Sequence, residues 1–193
     1  LEAAHDYGYE LKREHIIGIR SLSAKYAIPK LQKEAGQDFD YYKVRNKRMQ
    51  MMNEHIEIYG LEEKPGLGEL LDYLKQNHYL TAVATATDPE RTKKYLGSLH
   101  RLSYFDEIVC ASMVQNGKPA PDIYLEAARR LNVLPSECMA LEDSPNGILS
   151  AYRAGMYPVM VPDLSKPDTD TEKLLYACAD DLSQVIHIIE DFN

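Results

Sequence analysis

Three short stretches hold residue types that handle phosphate, and each follows an apolar run. In VATATDPERT (83–92), Thr85 closes the run; Thr87 and Glu90 stand at capping-box spacing and Pro89 suits a first helical turn. A helix N-terminus offers free N–H groups and partial positive charge, so a neighbouring hydroxyl makes a phosphate seat, although the same residues would also serve as a plain cap. In QNGKPAPDIY (115–124), the Asn116-Gly117 turn and the prolines at 119 and 121 hold Lys118 on a short stiff loop. Most surface lysines are solvated and idle, but these prolines remove the flexibility that makes them so. In LEDSPNGILSAYRAG (141–155), Ser144 and Pro145 account for a helix start and Gly155 for its stop. Glu142 and Asp143 are not needed for either, though acids at a helix entry suit the macrodipole. Two adjacent carboxylates at the end of a buried strand repel each other and favour the uncharged form unless a cation is near. Mg²⁺ is such a cation, bound through one or two carboxylates, waters and phosphate oxygens. A hydroxyl, a fixed ammonium and an acid pair are together the parts that phosphoryl transfer requires.

The elements that must position these groups follow from hydrophobic rhythm. Residues 1–60 hold no convincing strand and are dense in helix formers; LEAAHDYGYEL reads as a helix already in progress. Met49, Met52, Ile56 and Tyr59 recur at helical spacing as one apolar stripe. GLEEKPGLG (60–68) breaks the pattern and predicts a hinge at 63–66. Beyond it, helices are predicted at 67–76, 89–99, 121–131 and 145–154, and strands at 80–84, 107–111, 138–141 and 158–161. Strands of nearly continuous apolar content alternating with helices predict an α/β fold: a Rossmann-like parallel sheet with helices on both faces. The domains so defined are an all-helical unit at 1–63 and an α/β core at 64–193. Ligands of such sheets sit at the carboxyl ends of the strands, where Thr85 and the acid pair fall.

The chain of 193 residues is 45% hydrophobic, enough for one sizeable core or a core with a small satellite. A net charge of −8 argues against nucleic acid and anionic membrane as partners. The basic run KVRNKR (43–48) lacks interleaved aromatics and reads as a solvated helix face. Cys110, Cys138 and Cys178 are odd in number and lie in or near apolar segments, which predicts reduced thiols and a cytoplasmic address. No apolar run is long enough to span a bilayer. The six histidines show no metal spacing and are given no role.

The motifs VATAT, GKPAPDIY and EDSPNG, in this order and at these separations, resemble the haloacid dehalogenase-like superfamily, in particular its β-phosphoglucomutase-like branch of small-capped phosphatases and mutases. KPGLGELLDYLKQ (64–76) resembles that branch's passage from cap to core, and the likeness extends over essentially the whole chain. The resemblance implies that Thr85 and the backbone N–H of Ala86 bind the transferring phosphate. It implies that Lys118 bridges phosphate and nucleophile, and that Glu142 and Asp143 hold Mg²⁺ directly or through water. Residues 1–63 would be a cap over the substrate, a small phosphorylated metabolite, with Arg20 of IIGIRSLS presented toward it; a solvated helix arginine fits that position equally. The activity implied is a phosphatase working through an aspartyl-phosphate. A phosphosugar mutase and a non-catalytic domain binding a phosphorylated ligand or a protein are the alternatives.

The chain departs from that family at one place. The family's nucleophile is the first Asp of a DxD motif ending the first strand, and no DxD follows an apolar strand here; DTD at 168–170 lies in the polar loop LSKPDTDTEK. The expectation is therefore an N-terminal extension of about two dozen residues supplying the central strand and the nucleophile. The chain alone would then be inactive.

Overall fold

The computed structural model describes residues 1–192, and the chain divides into two compact units, Leu1–Glu62 and Glu63–Asn193. The first unit is helical: α1 (Glu2–His5), α2 (Arg13–Ile17), α3 (Ala24–Ala35) and α4 (Tyr41–Tyr59). Helix α1 is shorter than LEAAHDYGYEL suggests, because Gly8 turns the backbone at φ +79°. Ala4, Leu11, Leu31 and Phe39 form the core of this unit, and Tyr9 meets Phe39 edge-on at 4.8 Å between ring centroids. The Tyr9 hydroxyl donates to the Asp38 carbonyl and accepts from the Asp40 N–H, while the Asp40 carboxylate accepts from the N–H of Lys43 and so starts α4. The apolar stripe of α4 is buried at its beginning only: Met49 is 8% exposed and Tyr59 70%. The first turn of α4, through Tyr41 and Val44, packs on the core of this unit, and α1 lies against the helix.

The second unit runs α5 (Leu67–Gln76), β1 (Ala82–Thr85), α6 (Pro89–Ser98), β2 (Glu107–Cys110), α7 (Asp122–Leu131), β3 (Met139–Glu142), α8 (Pro145–Arg153), β4 (Tyr157–Met160), α9 (Thr169–Glu172), β5 (Ala177–Cys178) and α10 (Val185–Phe192). The four strands read from the sequence form, with ends moved by one or two residues. Just ahead of β1, the Thr81 N–H donates to the Asp106 carboxylate and its hydroxyl to the Tyr104 carbonyl, while its carbonyl accepts the N–H groups of Asp106 and Glu107.

All strand pairs are parallel. β1 pairs with β2 from Ala82↔Glu107 to Thr85↔Cys110, and β3 with β4 from Met139↔Tyr157 to Glu142↔Met160, with β5 beyond β4. These are two sheets, β1-β2 and β3-β4-β5. Among the described residues, β1 and β3 therefore each keep one edge without a ladder partner. Both sheets nevertheless share one core: Val109 of β2 and Ala140 of β3 are buried with Ile123, Tyr124 and Ala127 of α7 and Ala151 of α8, and Ala82 and Ala84 of β1 pack against them. The opposite face is closed by α5 and α10, through Leu70, Val185 and Ile189 against Val159. Helices thus cover both faces of parallel strands, the α/β architecture that the alternating pattern predicts.

Residues 63–66, where the sequence suggests a hinge, are fastened to this second unit. The Arg101 guanidinium donates to both carboxylate oxygens of Glu63 at 2.7 and 3.0 Å, Lys64 pairs with Asp163 at 3.6 Å, and the Leu182 N–H donates to the Pro65 carbonyl. Gly66 sits at φ +80° with the Ser183 backbone where a side chain would be. The irregular stretch between α4 and α5 runs from Gly60, at φ +79°, to Gly66.

Candidate active site

Strand β1 delivers Thr85. Its Oγ1 accepts the Thr87 N–H at 3.1 Å, which bends the chain toward α6 and leaves the hydroxyl hydrogen to donate elsewhere. The start of α6 is capped by Asp88, whose carboxylate accepts the Arg91 N–H at 3.0 Å; Thr87, the residue at capping-box spacing, is not the cap. Ala86, between these residues, is exposed.

The loop carrying Lys118 is fixed from both ends. Asn116 donates from its backbone and its side-chain amide to one oxygen of Asp122, at 3.0 and 3.1 Å, closing the loop on the first turn of α7. From the other side, the Ser150 hydroxyl donates to the Ala120 carbonyl at 2.6 Å and the Arg153 guanidinium to the Pro119 carbonyl at 3.1 Å, both from α8. Lys118 is only 7% exposed, a depth at which lysines are found only when paired. Its ammonium donates to the Ala84 carbonyl of β1 at 3.2 Å and to the Glu142 carboxylate of β3. The ends of the two sheets therefore meet at one cation.

Glu142 is 8% exposed, and the oxygen that takes Lys118 also accepts the hydroxyl of Tyr124. Its other oxygen lies 3.5 Å from the Ser144 hydroxyl, which in turn accepts the Gly147 N–H and caps α8, as its position before Pro145 predicts. A side chain at Gly147 would overlap the Glu142 carboxylate. The Tyr124 ring lies 5.0 Å from the Lys118 ammonium. Its phenol is pushed well above the usual range by burial first, then by the charge of Glu142, the hydrogen bond to it and the charge of Asp143.

Asp143, the next residue, is half-buried. Among the described residues no three of His, Cys, Asp and Glu are grouped to hold a metal. The carboxylates at the end of β3 are nevertheless hard oxygen donors of the kind Mg²⁺ takes one or two at a time. Glu142 is engaged by an ammonium and a phenol.

The structure thus brings Lys118, Glu142 and the Ala84–Thr85 end of β1 to one place, with Asp143 adjoining. Arg20 lies in the first unit, half-buried in the turn after α2. The DTD motif is structural: Asp168 caps α9 by accepting the Thr171 N–H at 2.8 Å, which holds its carboxyl below the ordinary range. Tyr124 and Gly147, the last residues of GKPAPDIY and EDSPNG, support the site together with Ser150 and Arg153 of α8, and the sequence alone gives none of the four a role.

The chain belongs to the haloacid dehalogenase-like hydrolase family, whose model matches residues 1–161. Among curated relatives it is 38% identical over 151 residues to "Probable pseudouridine-5'-phosphatase" of Drosophila melanogaster, covering 75% of this chain and 62% of that protein. It is 40% identical over 96 residues to a phosphorylated carbohydrates phosphatase of Thermotoga maritima, covering 50% of this chain and 44% of that one. The matched stretch therefore spans less than two thirds of either relative. Among solved structures, the β-phosphoglucomutase of Clostridium difficile superposes with a TM-score of 0.77 at 22% identity, over 98% of this chain and 85% of that one, which shows a shared fold.

Proposed function

We propose that this chain is the greater part of a Mg²⁺-dependent phosphatase of small phosphorylated metabolites. The observation that carries the reading is the buried Lys118 ammonium, bonded at once to the ends of β1 and β3. A fixed cation at the carboxyl ends of parallel strands, beside a hydroxyl and a helix N-terminus, is a seat for a phosphate. The phosphatase names of two curated relatives support the same chemistry.

In this reading the Thr85 hydroxyl and the Ala86 N–H donate to phosphate oxygens, and Lys118 offsets their charge. Glu142 and Asp143 would hold Mg²⁺, directly or through water, with Glu142 also engaged by Lys118 and Tyr124. When bound, the metal neutralises charge on the transferring phosphoryl group. The helical unit Leu1–Glu62 acts as the cap and contributes Arg20 to the substrate. The nucleophilic aspartate arrives on a further strand seated along the open edges of β1 and β3; its carboxylate attacks phosphorus, the ester P–O bond breaks, and water then hydrolyses the aspartyl-phosphate.

The test is a screen of the full-length protein against phosphorylated sugars and nucleotides with Mg²⁺. Turnover of at least one ester is expected, with a loss on the order of 100-fold in Asp143→Ala. Undiminished turnover in that variant removes the metal role of Asp143. Appearance of an isomeric sugar phosphate instead of free phosphate would mark the mutase chemistry of the same site.

A further inference from the structure

Tyr124 has two readings. As one member of an apolar cluster, 6% exposed, it fills space, and Phe would serve as well. Its hydroxyl, however, does not end in that cluster. It ends on the carboxylate oxygen that also holds Lys118, and the ring faces the same ammonium.

We infer that Tyr124 is a positioning residue: its hydroxyl, with the space left by Gly147, locks the Glu142 carboxylate onto Lys118 and so fixes the ammonium at the strand ends. The inference rests on the phosphate-site reading of Lys118 given above.

Four features support it. First, two donors on one carboxylate oxygen leave that group little rotational freedom, which one donor alone would not achieve. Second, Gly147 is in α8 with the Glu142 carboxylate lying where a side chain would be, so the helix is hollowed at the one place the acid occupies. Third, Tyr124 stands two residues after Asp122, which closes the Lys118 loop through Asn116. The first turn of α7 therefore sets both the loop that carries the lysine and the acid that receives it. Fourth, a tyrosine hydroxyl this deep is retained where it finds a partner, and here the partner is charged.

The experiment is read on Lys118 itself and does not depend on turnover. The full-length protein and its Tyr124→Phe variant, which keeps the ring and removes the hydroxyl, are exposed to an amine-acylating reagent, and modification of each lysine is followed by peptide mass spectrometry. The exposed Lys93 and Lys94 serve as internal references, and reaction of the fully buried Cys110 with a thiol reagent reports general loosening. A hydrogen bond to a charged group is strong enough that its loss raises the Lys118 rate on the order of ten-fold, with the references unchanged and Cys110 still protected. Gly147→Ala displaces the same carboxylate by another route and produces the same Lys118-specific rise. An unchanged Lys118 rate in Tyr124→Phe overturns the inference, as does a rise matched by Cys110, which would make Tyr124 a packing residue only. Should Gly147→Ala fail to fold, Tyr124→Phe decides alone.

Turnover is measured in parallel. In an active wild type, Tyr124→Phe lowers kcat/KM about ten-fold and weakens inhibition by inorganic phosphate in proportion. A wild type that hydrolyses no phosphate ester, yet shows Lys118 protected and then released by Tyr124→Phe, would retire the phosphatase reading and leave this one standing.

Discussion

Lys118 and Glu142 are buried together, and their energetics differ from those of a surface pair. Each ion has lost most of its hydration, so removing one partner strands the other in a medium that solvates it poorly, at a cost of about 3–5 kcal/mol. Lys118→Met is therefore expected to destabilise the protein by roughly that amount and to abolish phosphate binding. Adding Glu142→Gln removes the stranded charge, and the double variant should recover at least about half of the lost stability while recovering no phosphate binding. Urea unfolding and phosphate titration of the three proteins separate the two effects; a double variant no more stable than the single one would show that the pair is not electrostatically coupled. At this scale the motif residues were legible because each stands at a punctuation mark in the sequence: Thr85 at the end of an apolar run, Lys118 between prolines, the acids before Ser-Pro. The roles of Tyr124, Gly147 and Ser150 were not, because each is defined by a partner from another element. Within α7 and α8 they read as an apolar helix position, a helix glycine and a small helix residue. Only the fold places them on Glu142 and on the Ala120 carbonyl.

Between elements, the start of α5 shows how local chemistry fixes an entry point. Arg101, following α6, grips Glu63 with two hydrogen bonds, lies over the Tyr104 ring at 5.5 Å, and comes within 3.1 Å of where a Gly68 side chain would be. The hydrogen bond from Arg101 holds the Glu63 carboxyl below its ordinary value of 4.5. A carboxyl with a lowered folded value binds fewer protons folded than unfolded. Its contribution to stability is therefore complete above the ordinary value and is lost as pH falls through the lowered one. Glu63→Gln should accordingly reduce Tm at pH 7, and the gap to wild type should close as pH drops below about 4. A gap that persists at acid pH would assign the effect to packing. Strands and helices of the core were readable to within two residues because each combines a clear apolar period with a cap or a proline. The boundary between the two units falls at Glu62/Glu63, beside the stretch whose glycine and proline suggest a hinge, and within that stretch Gly66 serves a left-handed turn against Ser183. Of the elements after Met160, none of which the sequence reading gives, α9 and β5 are four and two residues long, too short to show a period, while α10 is eight residues in which Val185 and Ile189 share one buried face.

For the whole molecule, the telling feature is that one shared core carries two separate parallel sheets. The Ala84 carbonyl and the Glu142 carboxylate are both within hydrogen-bonding reach of one ammonium, so the ends of β1 and β3 converge on the same group. Among the described residues each has an edge without a ladder partner, and open edges within an α/β core are costly. A parallel strand seated there would pair with both, and its last residue would fall beside Thr85, Lys118 and Asp143, where the proposed nucleophile is needed. Expressing the protein with its upstream coding sequence and comparing it with the 193-residue chain tests this directly. Several new ladder bonds at about 1 kcal/mol each, less the entropy of ordering a short segment, should raise Tm by on the order of 10 °C. Amide hydrogen exchange should slow specifically in Ala82–Thr85 and Met139–Glu142, and phosphatase activity should appear only in the longer protein. Equal exchange at these two strands in both proteins would mean that these edges do not seat a further strand. The nucleophile would then have to be sought elsewhere, even if the longer protein proved active.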